Sequence, residues 1–218
     1  MKKLLGIALA SAAAGLCLSA LKKASDEQTV ELSPVKRSSP NKKAILVVSF
    51  GTSYAQTREK TIGAIEEDFR SAFPEYTIRR AFTSKMIIKK LRERDGIEVD
   101  TVAQALEKLE AEGYSTVICQ STHVMGGFEF DDVKREVENW KGRFDHIACG
   151  WPLLTSSEDY EQVTEALVQK FSDIPSDAAL VLMGHGTEHP ANATYPALDY
   201  RLKARGCKNF FVGTVEGY

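Results

Sequence analysis

Two phrases, AILVVSFGT at 44–52 and ALVLMGHGT at 179–187, carry one pattern of apolar run, small residue, variable residue, glycine and threonine, with His185 standing where the first copy has Phe50. The second phrase begins at 179 against 44, an interval of 135 residues. A second apolar run, YTIRRAF, opens at Tyr76, 32 residues after the first phrase starts, and FFVGTV opens at Phe210, 31 residues after the second starts. Matched spacings of this kind mark a duplicated unit. Continuous apolar runs of this length suit strands covered on both faces, the arrangement of parallel sheets. Val181, Leu182 and Met183 are therefore expected in a buried strand, and the Gly-His-Gly turn lifts His185 out at its carboxyl end, where open α/β sheets bind ligands.

Between the copies, helix and strand patterns alternate, which predicts a parallel α/β fold. Ile62, Ile65, Phe69 and Phe73 recur on one helical face. Thr101 can cap a helix bearing Val102, Ala105, Leu106 and Leu109 that stops at Gly113, and STVICQS (115–121) returns as a strand. Phe130, Val133, Val137 and Trp140 form the next stripe, HIACG the next strand, and Tyr160, Val163, Leu167 and Phe171 a further helix announced by Ser156 and Ser157. These stripes are core positions. The expected divisions are 1–21, 22–43, a first unit over 44–178 and a second over 179–218. The last has 40 residues, and two strands and a helix do not close a core alone. The second unit is therefore expected to be an incomplete copy, short of the first by about 95 residues, the alternative being a short natural variant whose last strand extends the first sheet.

At the amino end, Lys2 and Lys3 precede an uncharged run from Leu4 to Leu21, with Ser19 and Ala20 near a plausible cleavage point. This reads as a signal peptide, so export, to the periplasm, is expected. Kept uncleaved, the run is just long enough to anchor the chain in a membrane; a lipoprotein reading through Cys17 is disfavoured by bulky Leu16 before it. Residues 22–43 are polar, hold two prolines and have no apolar period, as a tether does. A net charge of −2 and no arginine-rich segment exclude a nucleic-acid footprint. Cys119, Cys149 and Cys207 lack CxxC spacing, so they read as small buried hydrophobes rather than a disulfide framework or zinc site.

Three strand ends can carry chemistry. SFGTSY offers Thr52, Ser53 and backbone amides, for an anion or simply as a helix cap. QSTHVMGGFEF holds His123, readable as a structural hydrogen-bonding residue or a wall of the site, and Glu129, readable as a helix-start charge or a carboxylate aimed into a cleft. GHGTEH is the strongest, because a histidine held between glycines at a strand end has little packing purpose and its imidazole binds metals or accepts protons near neutral pH. His189, followed by Pro190, reads as a solvent-facing loop residue, and His146 as structural. No HExxH, nucleophile elbow, Walker or GxGxxG signature is present.

AILVVSFGTS, RAFTSKMIIKKLRERDGIEVDT, GGFEF, WPLL and MGHGTEH together resemble the anaerobic cobalt chelatases, the sirohydrochlorin cobaltochelatases of the metal-ion-only chelatase class, from about Lys43 to Tyr218. The resemblance implies two similar flavodoxin-like parallel α/β units facing a cleft, the second incomplete in this sequence. It implies that His185 is a metal ligand and acceptor of pyrrole protons, that Glu129 is its acidic partner, and that Glu216 is a further cleft glutamate. The family's second metal-binding histidine has no counterpart here. The implied reaction is ATP-independent insertion of Co2+ into sirohydrochlorin, toward cobalamin, with no nucleotide. Imidazole binds Ni2+ and Fe2+ as well, so the residues alone do not select the metal. Thr52, Ser53 and His123 are expected along the substrate site. The export signal is discordant with tetrapyrrole synthesis, which leaves open a periplasmic tetrapyrrole or metal binding and delivery protein. Homo-oligomerisation is open, and haem ligation by His123 or His189 has no support in their spacing.

Overall fold

The computed structural model describes residues 4–5 and 41–216. Beyond Leu4 and Leu5, the signal expected at 1–21 lies outside the described residues, as does most of the 22–43 tether. The chain order is β1 (Leu4–Leu5), β2 (Lys43–Ser49), α1 (Ala55–Arg58), a π-helical turn (Glu59–Gly63), α2 (Ala64–Ala72), β3 (Thr77–Phe82), α3 (Lys85–Asp95), α4 (Val102–Ala111), β4 (Thr116–Ser121), α5 (Phe128–Asn139) and β5 (His146–Gly150). It continues through α6 (Ser157–Lys170), β6 (Ala179–Gly184), a 3-10 turn (Pro190–Ala193), α7 (Thr194–Ala204) and β7 (Phe210–Thr214). None of the described helices is long and apolar enough to cross a membrane.

The strands make two sheets, in the orders β3-β2-β4-β5 and β1-β6-β7, and every pairing is parallel. β2 shows why its sequence is continuously apolar. Ala44, Leu46 and Val48 pack on one side against Leu106 and Leu109 of α4 and Val133 and Val137 of α5, whereas Ile45 and Val47 pack on the other against Ile65 and Phe69 of α2. Side chains alternate with a period of two, and both faces are covered. Fully buried Leu106, Phe69 and Phe82 each contribute on the order of 1.5–3 kcal/mol by leaving water. The second sheet has its own core of Leu180, Leu182, Leu198, Leu202 and Phe210, to which α6 adds Val163 and Leu167 and the preceding loop adds Leu154.

Helix ends follow their caps. Thr101 and Ser156 both form capping boxes, with Gln104 and Asp159 reaching back. α3 has no counterpart among the predicted elements. Ser84 accepts from the Ile87 amide at its start, and Gly96, with φ 65°, ends it.

Glu66 is 4% exposed, and Arg80 reaches it with two parallel bonds, Nε–Oε1 at 2.6 Å and Nη2–Oε2 at 2.7 Å. Arg70 lies only at the margin, 3.7 Å away. Replacing Arg80 by methionine strands a carboxylate inside the fold, so urea denaturation is expected to show a loss of about 3 kcal/mol.

Candidate active site

Sheet order places the functional crevice. β2 connects to β3 on one side, and the chain then crosses to β4 on the other, so the strand order switches between β2 and β4. Their carboxyl ends are tied together: the Thr122 hydroxyl donates to Ser49 Oγ at 2.8 Å, and the Thr122 amide bonds to the Val48 carbonyl.

The duplicated phrase makes the same turn in both sheets. Gly51 has φ 97° and Gly186 φ 89°, a left-handed conformation that favours glycine. The carbonyls of Ser49 and Phe50 accept from the amides of Thr83 and Ser84, and those of Gly184 and His185 accept from Val215 and Glu216. Glu216 is thus the counterpart of Ser84, and its backbone lies so close to Gly186 that a Cβ there would strike its carbonyl. The turns expose residues 50 and 185. One copy presents a phenyl ring and the other an imidazole.

The His185 ring is tied back at one nitrogen. Nδ1 lies 3.3 Å from the Gly186 carbonyl, which only accepts, so Nδ1 is the nitrogen that donates there and Nε2 is the one this bond leaves unengaged. The loop behind it is locked: Gly186 N–H donates to Tyr195 Oη, Thr187 N–H to Asn192 Oδ1, and His189 N–H to Thr187 Oγ1.

At the end of β4, His123 Nδ1 sits 2.8 Å from Ser121 Oγ, and its Nε2 is buried without a hydrogen-bond partner. Burial holds this imidazole below its ordinary pKa, opposed by the nearby Glu129 carboxylate. The unfolded chain therefore takes up a proton near pH 6.5 that the folded chain resists, and stability falls as pH drops through that value. Thermal melts between pH 7.5 and 5.5 are expected to fall more steeply for the parent than for His123→Asn.

Glu129 is exposed in the first turn of α5. Thr52 is half-buried, its hydroxyl accepting from the Tyr54 amide at 3.3 Å and its carbonyl from Arg58 Nη1 at 3.2 Å. Ser53 is 3% exposed, and its carbonyl accepts from Arg94.

Two expectations need correction. Met183 is 63% exposed, because the strand's last residues reach the open carboxyl end rather than the core. His189 is not a solvent-facing loop residue. Its side chain is 20% exposed, its Nε2 lies 3.3 Å from Asp131 Oδ2, and its ring meets Phe128 edge-on with centroids 4.8 Å apart. Both partners belong to the first turn of α5.

Sequence reasoning also missed an apolar rim. Phe50, Tyr54, Met86, Val124, Phe128, Trp151, Met183 and Val215 are the exposed large hydrophobic residues that sit at or just after strand carboxyl ends. The signal was present as an apolar residue following each run, in positions a soluble surface seldom fills with rings. Among the described residues Cys119, Cys149 and Cys207 are free, and burial raises the Cys119 thiol well above its ordinary value and pushes Cys149 up to about 11, as expected of packing residues. Among the described residues no three His, Cys, Asp or Glu side chains converge closely enough to hold a metal ion.

The strand ends thus present exposed rings, an apolar surface for a flat ligand, beside an exposed imidazole at residue 185. The model of the family described as cobalt chelatase (CbiK) matches residues 43–218. The chain belongs to the cobalt chelatase (CbiK) family. It is 47% identical over 177 residues to the sirohydrochlorin cobaltochelatase of Salmonella typhimurium, a match covering 81% of this chain and 67% of that protein. It is 35% identical over 192 residues to the sirohydrochlorin cobaltochelatase CbiKC of Nitratidesulfovibrio vulgaris, covering 85% and 66%. The chain thus spans about two thirds of the length of these relatives.

Proposed function

We propose that this chain is a sirohydrochlorin cobaltochelatase, a lyase that inserts Co2+ into the tetrapyrrole without a nucleotide, as a step of cobalamin synthesis. The observation that carries the reading is the His185 turn, an exposed imidazole whose Nε2 is left unengaged by the bond at Nδ1, at a strand end near exposed apolar residues. Support comes from two relatives that carry this enzyme's name. Metallation removes two pyrrole protons while a hydrated divalent cation sheds water. A neutral imidazole and a carboxylate suit both tasks, since each binds a divalent ion and accepts protons. His185 and Glu129 take these roles as metal ligands and proton acceptors. The exposed rings of Phe50 and Phe128 offer the macrocycle apolar faces, and Thr52, His123 and Glu216 line its site, with the buried Ser53 behind Thr52. Co2+ is the substrate metal, chosen over Ni2+ and Fe2+ on the strength of the family's name.

Capture and delivery without turnover is not favoured, since both relatives carry an enzyme's name. The amino-terminal Lys2, Lys3 and the apolar run after them support export to the periplasm as a further part of the reading. The chain is tested by mixing it with sirohydrochlorin and Co2+ and following the tetrapyrrole's visible absorbance. A rate above the protein-free background is expected for Co2+; binding of sirohydrochlorin with no acceleration rejects the enzyme in favour of a carrier.

A further inference from the structure

His189 differs from His185 in a way that assigns it another task. Its Nδ1 accepts the Ala191 amide at 3.0 Å, capping the 3-10 turn that follows. An amide only donates, so Nδ1 holds no proton and Nε2 must hold it. That Nε2 lies 3.3 Å from Asp131 Oδ2, close enough for the N–H and the carboxylate to attract. The ring is further seated against the edge of Phe128. The loop carrying His189 is cross-braced back to the His185 turn through Thr187 and Gly186. Asp131 lies two residues from Glu129 in the same helical turn. The contact therefore joins the loop after β6 to the helix after β4, the two elements that carry His185 and Glu129.

We propose that His189 is a positioning residue, which through its Nε2 contact with Asp131 and its ring contact with Phe128 fixes the His185 turn at a set distance from the Glu129 turn across the cleft. The inference rests on the chelatase reading, but its geometry is open to test without turnover. A carboxylate and an imidazole working on one reaction must be held to a fraction of an ångström, and a loose supporting contact costs rate more than affinity.

Four variants separate this from a merely structural role. His189→Asn keeps an oxygen where Nδ1 accepts the Ala191 amide but is too short to reach Asp131. Asp131→Ala removes the acceptor, Asp131→Asn retains one, and the fourth protein combines His189→Asn with Asp131→Ala. In Co2+ and sirohydrochlorin kinetics, His189→Asn and Asp131→Ala are each expected to lower kcat by about tenfold or more with KM changed by less than about twofold. The double variant is expected to be no slower than either single one, and Asp131→Asn to recover most of the rate. In parallel, nitrogen-15 spectra of the imidazoles are expected to show the Nε2–H tautomer for His189, with a signal that moves in Asp131→Ala. A His189 carrying its proton on Nδ1, a signal indifferent to Asp131, or additive rate losses overturn the proposal. A parent that binds sirohydrochlorin but does not metallate it rejects the chelatase reading and the positioning role with it, while the spectra still decide the clasp.

Discussion

His185→Ala is expected to lower the rate of Co2+ insertion by about 10²–10⁴-fold, the range for losing a positioned proton acceptor. The effect falls on chemistry. His185 is exposed and its ring makes a single bond, to its neighbour's carbonyl, so the melting temperature is expected to stay at the parent's value. Sirohydrochlorin affinity is also expected to hold, since the macrocycle's apolar contacts lie on Phe50, Phe128 and the rest of the rim. The measurement is kcat from visible absorbance, beside a fluorescence titration of tetrapyrrole binding. A variant that binds and folds normally yet metallates at the parent's rate would remove His185 from the mechanism.

The second large effect belongs to the glycine beside it. Gly186→Ala forces an L-residue to φ 89° and drives a Cβ into the Glu216 carbonyl, an atom of backbone that cannot swing aside. The backbone strain alone costs about 1–3 kcal/mol. The turn must open to relieve the clash, which displaces His185, so metallation is expected to fall by about 100-fold even where the protein stays folded. Gly113→Ala provides the control. Its φ of 79° carries similar strain, but no atom lies within 4 Å of the new methyl group. Chemical denaturation is expected to show a smaller loss for Gly113→Ala and no loss of catalytic rate. Equal losses at both positions would mean that the Glu216 contact is immaterial.

Much of this architecture was legible from residues alone, and particular elements show why. The duplicated phrase encodes its own geometry: Gly51 and Gly186 take the same left-handed turn because each follows a strand whose last carbonyls pair with the next strand's end. Caps at Thr101 and Ser156 were readable because a capping box is a local pattern. α3 was not. Its Ser84 start and Gly96 stop are ordinary signals, but Leu91 is its one buried residue and charged side chains fill most of the rest, so no broad apolar stripe announces it. The site divides in the same way. His185 declared itself by sitting between glycines. His189 did not, because a histidine before proline looks like a loop residue until the fold brings Asp131, 58 positions earlier, to its Nε2. No periodicity reports a contact between the ends of two sheets.

The central claim is that the chain turns over, and turnover is tested by giving it far more substrate than it can hold. With the chain at one part to about a hundred of sirohydrochlorin and Co2+ in excess, full conversion of the tetrapyrrole to its cobalt form, at a rate proportional to protein, is the result expected of a catalyst. Conversion that stops at one equivalent per chain, with the remainder reacting at the protein-free rate, would contradict it.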